Sequence, residues 1–427
     1  MSFKSISITG TKGKTTVSYL VDNILMGLKK NTIRVDTTGH FVNGKRKSTR
    51  EDSIEIWQLV PTVCPGRYLW ELNNFTNEER DNTVAVLESS LGCSNPAGLG
   101  YRSHDIGVWT NVMKDHLGSR PSLNSRADIA KAKEFVFNHI SDNGYAIFNA
   151  CDDLVCGKLT EIWNGSTLIP VITDENNIQM DINKHLEDGG IAFVFNGTKI
   201  MLRNKNGDSL VYDAKNLPWV FDGHYAPSMI NLTFAIAAVY AVYESSFPAG
   251  LNDVIDRVRL DPYGGRVTVL SAKNGATIIA DYAHETESLT SVGHLARLLA
   301  DKKGGKTIGV VRLAYDRTDE LIDEAGQAVG RVFDEVVVYD KIDGYWRKPK
   351  KRTGFSYFVQ EVGRISGLLS AAVKKTNPNV ETILREDEAL DFAAKKTGGN
   401  DVVVVIVNDD VKRSIDWIRE KFDADFA

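Results

Sequence analysis

The chain is 427 residues long and carries a formal net charge of −5, which gives no reason to expect a nucleic-acid binder. Its hydrophobic (42%) and charged (25%) fractions are those of an ordinary globular chain, and the length suggests two or three domains. No apolar run approaches the roughly 20 residues of a membrane helix; Met1-Ser2-Phe3-Lys4 enters a strand at once and does not read as a signal peptide; and four cysteines without paired spacing indicate neither a zinc site nor a disulfide framework, as suits a cytoplasmic protein.

The first predicted strand is the alternation Ile6, Ile8. It runs into Thr9-Gly10-Thr11-Lys12-Gly13-Lys14-Thr15-Thr16, and a helix follows with Val17, Leu20, Val21, Ile24, Leu25 and Leu28 at helical spacing. A strand, a Gly-Lys-Thr turn and a helix make a phosphate cradle. Backbone N–H groups and the helix N-terminus meet the anion, Lys14 supplies a point charge, and the Thr15 hydroxyl is a Mg²⁺ ligand. The full P-loop pattern wants an earlier glycine where Ile8 stands, so only its second half is matched. The alternative is a chance glycine turn.

Val84-Ala85-Val86-Leu87-Glu88-Ser89-Ser90 puts a carboxylate at the tip of a buried strand. Glu88 either faces a cleft and holds a metal, or precedes a helix capped by Ser89 or Ser90. Thr110 to Gly118 follows the next strand and contains His116, a metal or water ligand or a structural surface histidine. A helix is expected from Ala127 to Ile140 with the apolar stripe Ile129, Ala132, Val136 and Ile140. Lys133 falls inside that stripe, where desolvation favours the neutral amine. A neutral amine reacts with CO₂ to give an anionic carbamate able to bind a metal. The alternative is a snorkelling lysine.

Further strand-like runs are Ile106 to Val112, Tyr145 to Phe148, Thr277 to Ala280, Thr307 to Val311, Glu335 to Tyr339 and Val402 to Val407, with helical patterns between most of them. The fold class is therefore α/β with parallel sheets, and ligands are expected past the strand ends. Residues 165–222 carry turn dipeptides between short alternating segments and read as a small antiparallel insertion. Asn231 to Tyr243 returns to an apolar helix. Asp261-Pro262-Tyr263-Gly264-Gly265 marks the boundary between domains of residues 1–260 and 261–427. Beyond it, Arg266 could reach a γ-phosphate as a planar fork, and Asp281 a ribose hydroxyl; a turn arginine and a helix-capping aspartate are the plainer readings. The basic run Arg347 to Arg352 reads as a solvated loop or a surface for an anionic substrate.

Taken in order, these pieces resemble the Mur ligase superfamily, and within it the Mur-ligase-like half of cyanophycin synthetases; poly-γ-glutamate synthases are also similar. The echo runs through Thr37-Thr38-Gly39, Gly98-Leu99-Gly100-Tyr101, Thr110-Asn111, Asp115-His116-Leu117-Gly118, Asn149-Ala150-Cys151-Asp152-Asp153 and Asp316-Arg317-Thr318-Asp319-Glu320. The resemblance implies a P-loop-type central ATPase domain and a C-terminal Rossmann-like domain. It implies an ATP-dependent ligase that joins a carboxylate to an amino acid or peptide amine through an acyl phosphate. It assigns ATP to Thr11, Lys12, Gly13, Lys14, Thr15, Thr16, Asn231, Arg266 and Asp281. It assigns Mg²⁺ to Thr15 and Glu88, with a second ion served by Glu88, His116 and carbamylated Lys133. His284, Arg317 and Asp319 fall on the substrate side. The partners implied are small molecules or peptides, with no nucleic acid or membrane.

The chain departs from that pattern in two places. Glu285-Thr286 follows Asp281-Tyr282-Ala283-His284 where the family has Asn or Thr and then Pro, and Pro227-Ser228 replaces a His-Asn pair before Asn231. A phosphate loop starting at residue 10 implies that neither a UDP-sugar-binding domain nor an ATP-grasp portion precedes it here. Two other functions fit the same residues: a nucleotide-binding scaffold subunit with a degenerate site, and a P-loop kinase.

Overall fold

A computed structural model describes residues 3–48, 61–94, 98–114, 117, 122–162, 165–314, 317–341 and 361–427. The expectations for His116, Asp316 and the basic run at 347–352 lie outside these residues. The chain divides into two compact units, Met1–Met113 with Ser125–Arg259, and Lys114–Asn124 with Leu260–Ala427.

In the first unit the strands are β1 (Lys4–Thr9), β2 (Asn31–Asp36), β3 (Gly39–Val42), β4 (Lys45–Ser48), β5 (Thr83–Glu88), β6 (His104–Trp109), β7 (Ile140–Asn149), β8 (Thr167–Ile172), β9 (Ala192–Asn196), β10 (Lys199–Asn204) and β11 (Gly207–Asp213). Among the described residues they form one sheet in the order β11-β10-β9-β8-β7-β6-β1-β5-β2-β3-β4. The run from β9 to β2 is parallel, and both flanks turn antiparallel. The stretch 165–222 contains the expected antiparallel insertion, joined to the main sheet. Its first two strands extend the parallel core, and only the hairpins β9-β10-β11 reverse.

Parallel strands covered on both faces are buried on both: β5 and β1 are buried along almost their whole length, and the buried Ser7 and Thr9 of β1 are satisfied by Ser89. The helix Lys14–Gly27 buries Val17, Leu20, Val21, Ile24 and Leu25. It packs on the helix Ala226–Val242, which is apolar nearly all round and enters through Pro227 in its first turn. β1 lies between β5 and β6, with Ile8 level with Glu88 and Thr9 level with Trp109. The turns after β1, β5 and β6 therefore leave one edge of the sheet side by side, where open α/β sheets bind ligands.

The helix expected from Ala127 to Ile140 is interrupted. It runs Arg126–Lys133, opens with a Ser125/Asp128 capping box, and gives way to the short turn Phe135–Asn138. Ile140 is the first residue of β7. The Val136 carbonyl, which would continue the helical ladder, instead meets the His104 ring (Nε2, 2.7 Å). It lies where a side chain on Gly107 would be, 2.5 Å from an added Cβ.

The second unit holds β12 (Thr268–Ala272), β13 (Thr277–Asp281), β14 (Thr307–Val311), β15 (Glu335–Val338), β16 (Val380–Thr382), β17 (Val402–Ile406) and β18 (Ala424–Phe426). Their order is β16-β15-β14-β17-β13-β12-β18, parallel from β16 to β13. The β13, β17 and β14 ends lie adjacent: Asp281 ends β13, and Asn408-Asp409 and Arg312 lie just past β17 and β14. The helices Asp319–Val332 and Arg364–Lys374 approach closely because Gly326 and Gly330 face the second helix. A Cβ at Gly326 would stand 2.4 Å from the Ala372 Cβ. Gly326→Leu should lower stability by about 2 kcal/mol through overpacking. Gly367→Ala, which meets nothing within 4 Å on an exposed helical face, should raise it by about 0.5–1 kcal/mol. Thermal unfolding of the two variants checks both signs.

Candidate nucleotide and ligase site

The loop after β1 turns through two glycines in conformations that L side chains resist, Gly10 (φ +144°) and Gly13 (φ +86°). A Cβ on Gly10 would lie 2.0 Å from Thr110 Oγ1, and one on Gly13 2.4 Å from Asn231 Oδ1. These glycines let the backbone pass between the turn after β6 and the Ala-rich helix, and so bring Asn231 against the loop. Asn111 fixes the loop from below: its side-chain oxygen accepts from the Thr11 (3.1 Å) and Lys12 (2.9 Å) amides, and its carbonyl accepts from Thr11 (3.0 Å). The Thr11 and Lys12 amides thus serve Asn111. Thr15 and Thr16 lie in the first turn of the helix, where backbone donors have no intrahelical acceptor. Lys14 Nζ donates across the loop to the Thr11 carbonyl (2.9 Å).

Glu88 ends β5 with its side chain fully buried. Its Oε2 accepts from the Thr15 hydroxyl (2.9 Å) and from the Thr37 amide (3.2 Å); Thr15 and Thr37 hydroxyls are 3.1 Å apart. Its other oxygen, Oε1, has no hydrogen-bond partner among the described residues. An unsatisfied buried carboxylate oxygen costs roughly 1–3 kcal/mol or more. Burial pushes the Glu88 carboxyl up, against the pull of the Lys14 charge and its hydrogen bonds. A hydroxyl beside a carboxylate oxygen whose lone pairs are unengaged is a fitting oxygen set for a hard divalent cation. Ser89 and Ser90 do not cap an α-helix. The Ser89 amide and carbonyl tie the turn back to β1 through Ile8 and Thr9.

The turn at Thr37 is held by a buried charge network that leaves little mark in the sequence. Asp36 Oδ1 accepts from the Thr38 amide (2.7 Å) and hydroxyl (2.5 Å). Arg34 pairs with Asp36 and with Asp22 (3.0 Å), all three being buried. Its only trace in the sequence is alternate polar positions in a strand that should be apolar, Arg34 and Asp36. Asn111 had a clearer trace, as a polar residue just beyond the apolar run of β6.

Lys133 is 4% exposed, and its Nζ donates to the Gly10 carbonyl (2.9 Å). The amine therefore reaches the base of the phosphate loop and does not snorkel to water. The first unit thus brings Lys14, Thr15, Glu88, Asn231 and Lys133 to the turns at one sheet edge.

In the second unit, Arg266 sits between Gly265 and the start of β12, and its guanidinium lies 4.9 Å above the Tyr282 ring. Asp281 caps no helix. Its two oxygens accept from the Val267 and Ala283 amides, each at 2.8 Å. The cap of the helix Thr286–Lys303 is Glu285, which accepts from the Glu287 (2.8 Å) and Ser288 (2.9 Å) amides. The departure at this position therefore has a structural use, since the carboxylate satisfies orphan donors at a helix start. Asp319 lies apart from His284 and pairs with Arg364 (2.7 Å).

His284 and Arg317 line one small pocket of about 10 Å³, together with Lys114, Glu285, Glu287 and Glu324. Lys114 pairs with Glu324 at 3.2 Å. Although Glu287 is exposed, its side-chain hydrogen bond to Glu285, with partial desolvation and the like charge, pushes it up to about 7 from 4.5. A carboxyl raised on folding stabilises the fold below its unfolded pKa, and that stability is lost as pH rises through 7. Glu287→Gln should therefore be more stable than the parent at pH 8, by about 1 kcal/mol after allowing for solvent screening of an exposed side chain. The advantage should vanish by pH 4, as denaturant titrations at both pH values would report.

A profile of the Mur ligase middle domain matches residues 8–208, and one of the Mur ligase glutamate ligase domain matches residues 265–407. The cyanophycin synthetase of a Nostoc species is 27% identical over 423 residues, which cover 97% of this chain and 42% of that protein. The UDP-N-acetylmuramoyl-L-alanyl-D-glutamate–2,6-diaminopimelate ligase of Nitrosomonas europaea is 25% identical over 351 residues, 78% of this chain and 61% of that one. The chain thus spans less than half the length of the cyanophycin synthetases it matches. Among solved structures, Mycobacterium tuberculosis folylpolyglutamate synthase, complexed with ADP and AMPPCP, has a TM-score of 0.66 at 17% identity, covering 100% of this chain and 92% of that one. MurF ligase from Thermotoga maritima, in complex with ADP, has a TM-score of 0.61 at 15% identity, covering 99% and 80%. Two domain profiles in the expected order, on an α/β fold shared with these ligases, establish that the chain belongs to the Mur ligase family.

Proposed function

We propose that this protein is an ATP-dependent carboxylate–amine ligase of the cytoplasm. A substrate carboxylate oxygen attacks the γ-phosphorus of ATP, and ADP leaves. The nitrogen of an amino acid or peptide amine then adds to the carbonyl carbon of the acyl phosphate. Phosphate departs with the bonding electron pair, the nitrogen loses its proton, and an amide remains. The activation is needed because a carboxylate and an amine do not condense readily in water.

The observation that carries this reading is the buried Glu88 beside Thr15, with one carboxylate oxygen unsatisfied at the mouth of a glycine-shaped loop. Thr15 and Glu88 would hold Mg²⁺, which when bound offsets phosphate charge. Loop amides in the first helical turn and Lys14 would bind the ATP phosphates, as in other phosphoryl transfers. Asn231 would contact the adenine, Arg266 the γ-phosphate and Asp281 the ribose, as the family resemblance implies. Asp281 would do so while bridging two backbone amides. Lys133, inward-facing and at the loop base, supports a carbamate role in holding a second ion. The ADP and AMPPCP bound by the folylpolyglutamate synthase relative accord with ATP as the nucleotide. His284 and Arg317, together in one small pocket, are suited to the amine-side substrate; Asp319, paired with Arg364, would act there only by holding the adjoining helix start.

The test is a matrix of amino acids and short acidic peptides assayed for phosphate release with Mg-ATP. Release should require both an acid and an amine, and Lys133→Ala should cut it by about a hundredfold or more. Release with an acid alone, or an unchanged rate in Lys133→Ala, would contradict the reading.

A further inference from the structure

Arg266 occupies an unusual piece of backbone. The residue before it, Gly265, has φ +57°, and the residue after it, Val267, has φ +51°. A β-branched residue at positive φ is a real outlier and persists only where its surroundings enforce it. Here the enforcement is visible. The Val267 amide donates to Asp281 Oδ2, and the Ala283 amide to Oδ1, so one carboxylate grips the chain just after Arg266 and just after Tyr282. The strained turn aims the Arg266 side chain onto Tyr282, 4.9 Å above the ring, with Nη1 donating to the Gly265 carbonyl (3.1 Å).

Tyr282 is itself fixed. Its hydroxyl donates to Asp409, which also pairs with Lys341 at 2.9 Å. Arg312, buried to 1% exposure and tied to the Val407 carbonyl, lies 5.0 Å over the same ring. Two guanidinium groups on one ring repel each other, and the arrangement holds because Asp409 supplies the counter-charge. Burial pushes the Asp409 carboxyl up, but Lys341, Arg312 and the tyrosine hydrogen bond outweigh it and hold the group well below the usual carboxylate range. A phenol that donates to a carboxylate gains electron density in its ring, which strengthens the ring's hold on a cation.

We propose that Tyr282, anchored by Asp409, is the platform that positions Arg266 for the γ-phosphate, a role that rests on assigning Arg266 to that phosphate in the ligase reading. Tyr282 and Asp409 are positioning residues; neither touches the nucleotide. The platform costs the protein a strained Val267, and what it secures is a guanidinium held in one direction on a surface turn where an arginine would otherwise sample many rotamers.

The test compares the affinities of the full chain for Mg-AMPPNP and Mg-ADP by titration calorimetry, because their ratio isolates the γ-phosphate. Tyr282→Leu should lower that ratio about fivefold, the worth of one cation–π contact. Tyr282→Phe, which keeps the ring, and Asp409→Asn, which keeps the shape, should each lower it less. In an Arg266→Ala background Tyr282→Leu should change nothing further, a non-additivity that general loosening would not produce. Any one of three results overturns the proposal: an unchanged ratio in Tyr282→Leu, an equal fall with and without Arg266, or Arg266→Ala that leaves the ratio intact. Neither probe needs an acid or an amine, so the outcome is separate from whether the wild type shows substrate-dependent phosphate release.

Discussion

A carboxylate fully removed from water, with one oxygen left without a partner among the described residues, is the constraint around which the first unit is organised. Glu88 sits at the end of β5, level with the last turn of backbone before the phosphate loop, and burial works against its charge. Two donors, Thr15 and Thr37, satisfy one side of it. Removing either donor would leave more of the carboxylate unsatisfied and shift it further toward the neutral acid, which binds no magnesium.

The surrounding elements read as devices that keep this arrangement in place. Asn111 and Thr110 tie the loop to the turn after β6, and Ser89 ties the turn after β5 back to β1. Arg34, Asp22 and Asp36 form a buried charged triad under Thr37. Such a triad is no strong source of stability, because desolvation offsets most of the attraction; its contribution here is to fix the Thr37 turn. Lys133 is the last residue of the helix Arg126–Lys133, and His104 takes the Val136 carbonyl in the short turn that follows.

Much of this was legible in the sequence because it depends on periodicity and on residue type. Strand runs predicted from Val84 to Leu87 and from Val402 to Val407 are strands, and the Gly-Lys-Thr turn opens the helix it should. Spacing placed Lys133 in the apolar stripe but left open whether its amine reached water; the structure buries it. What stayed hidden depends on contacts between distant residues. A 3.6-residue period cannot reveal that a histidine thirty-two positions away will capture one carbonyl. Nor does local sequence say that Asp281 will bridge two amides while Glu285, four residues on, caps the helix. Between 165 and 222 the antiparallel hairpins β9-β10-β11 are those the turn dipeptides indicate, while the parallel attachment of β8 and β9 to the sheet left no local signal. Turn dipeptides mark where strands end but carry no information about whether the next strand joins an existing sheet in parallel.

The central claim is that Thr15 and Glu88 build a magnesium site on which nucleotide binding depends. It is tested most directly by titrating the non-hydrolysable analogue AMPPNP into the protein with and without Mg²⁺, for the wild type and for Glu88→Gln. The glutamine keeps the shape and the hydrogen bond from Thr15 but not the charge. The account predicts that Mg²⁺ strengthens binding to the wild type by at least tenfold and adds little to the variant, while metal-free binding is similar in both. An equal enhancement by Mg²⁺ in the two proteins would contradict it.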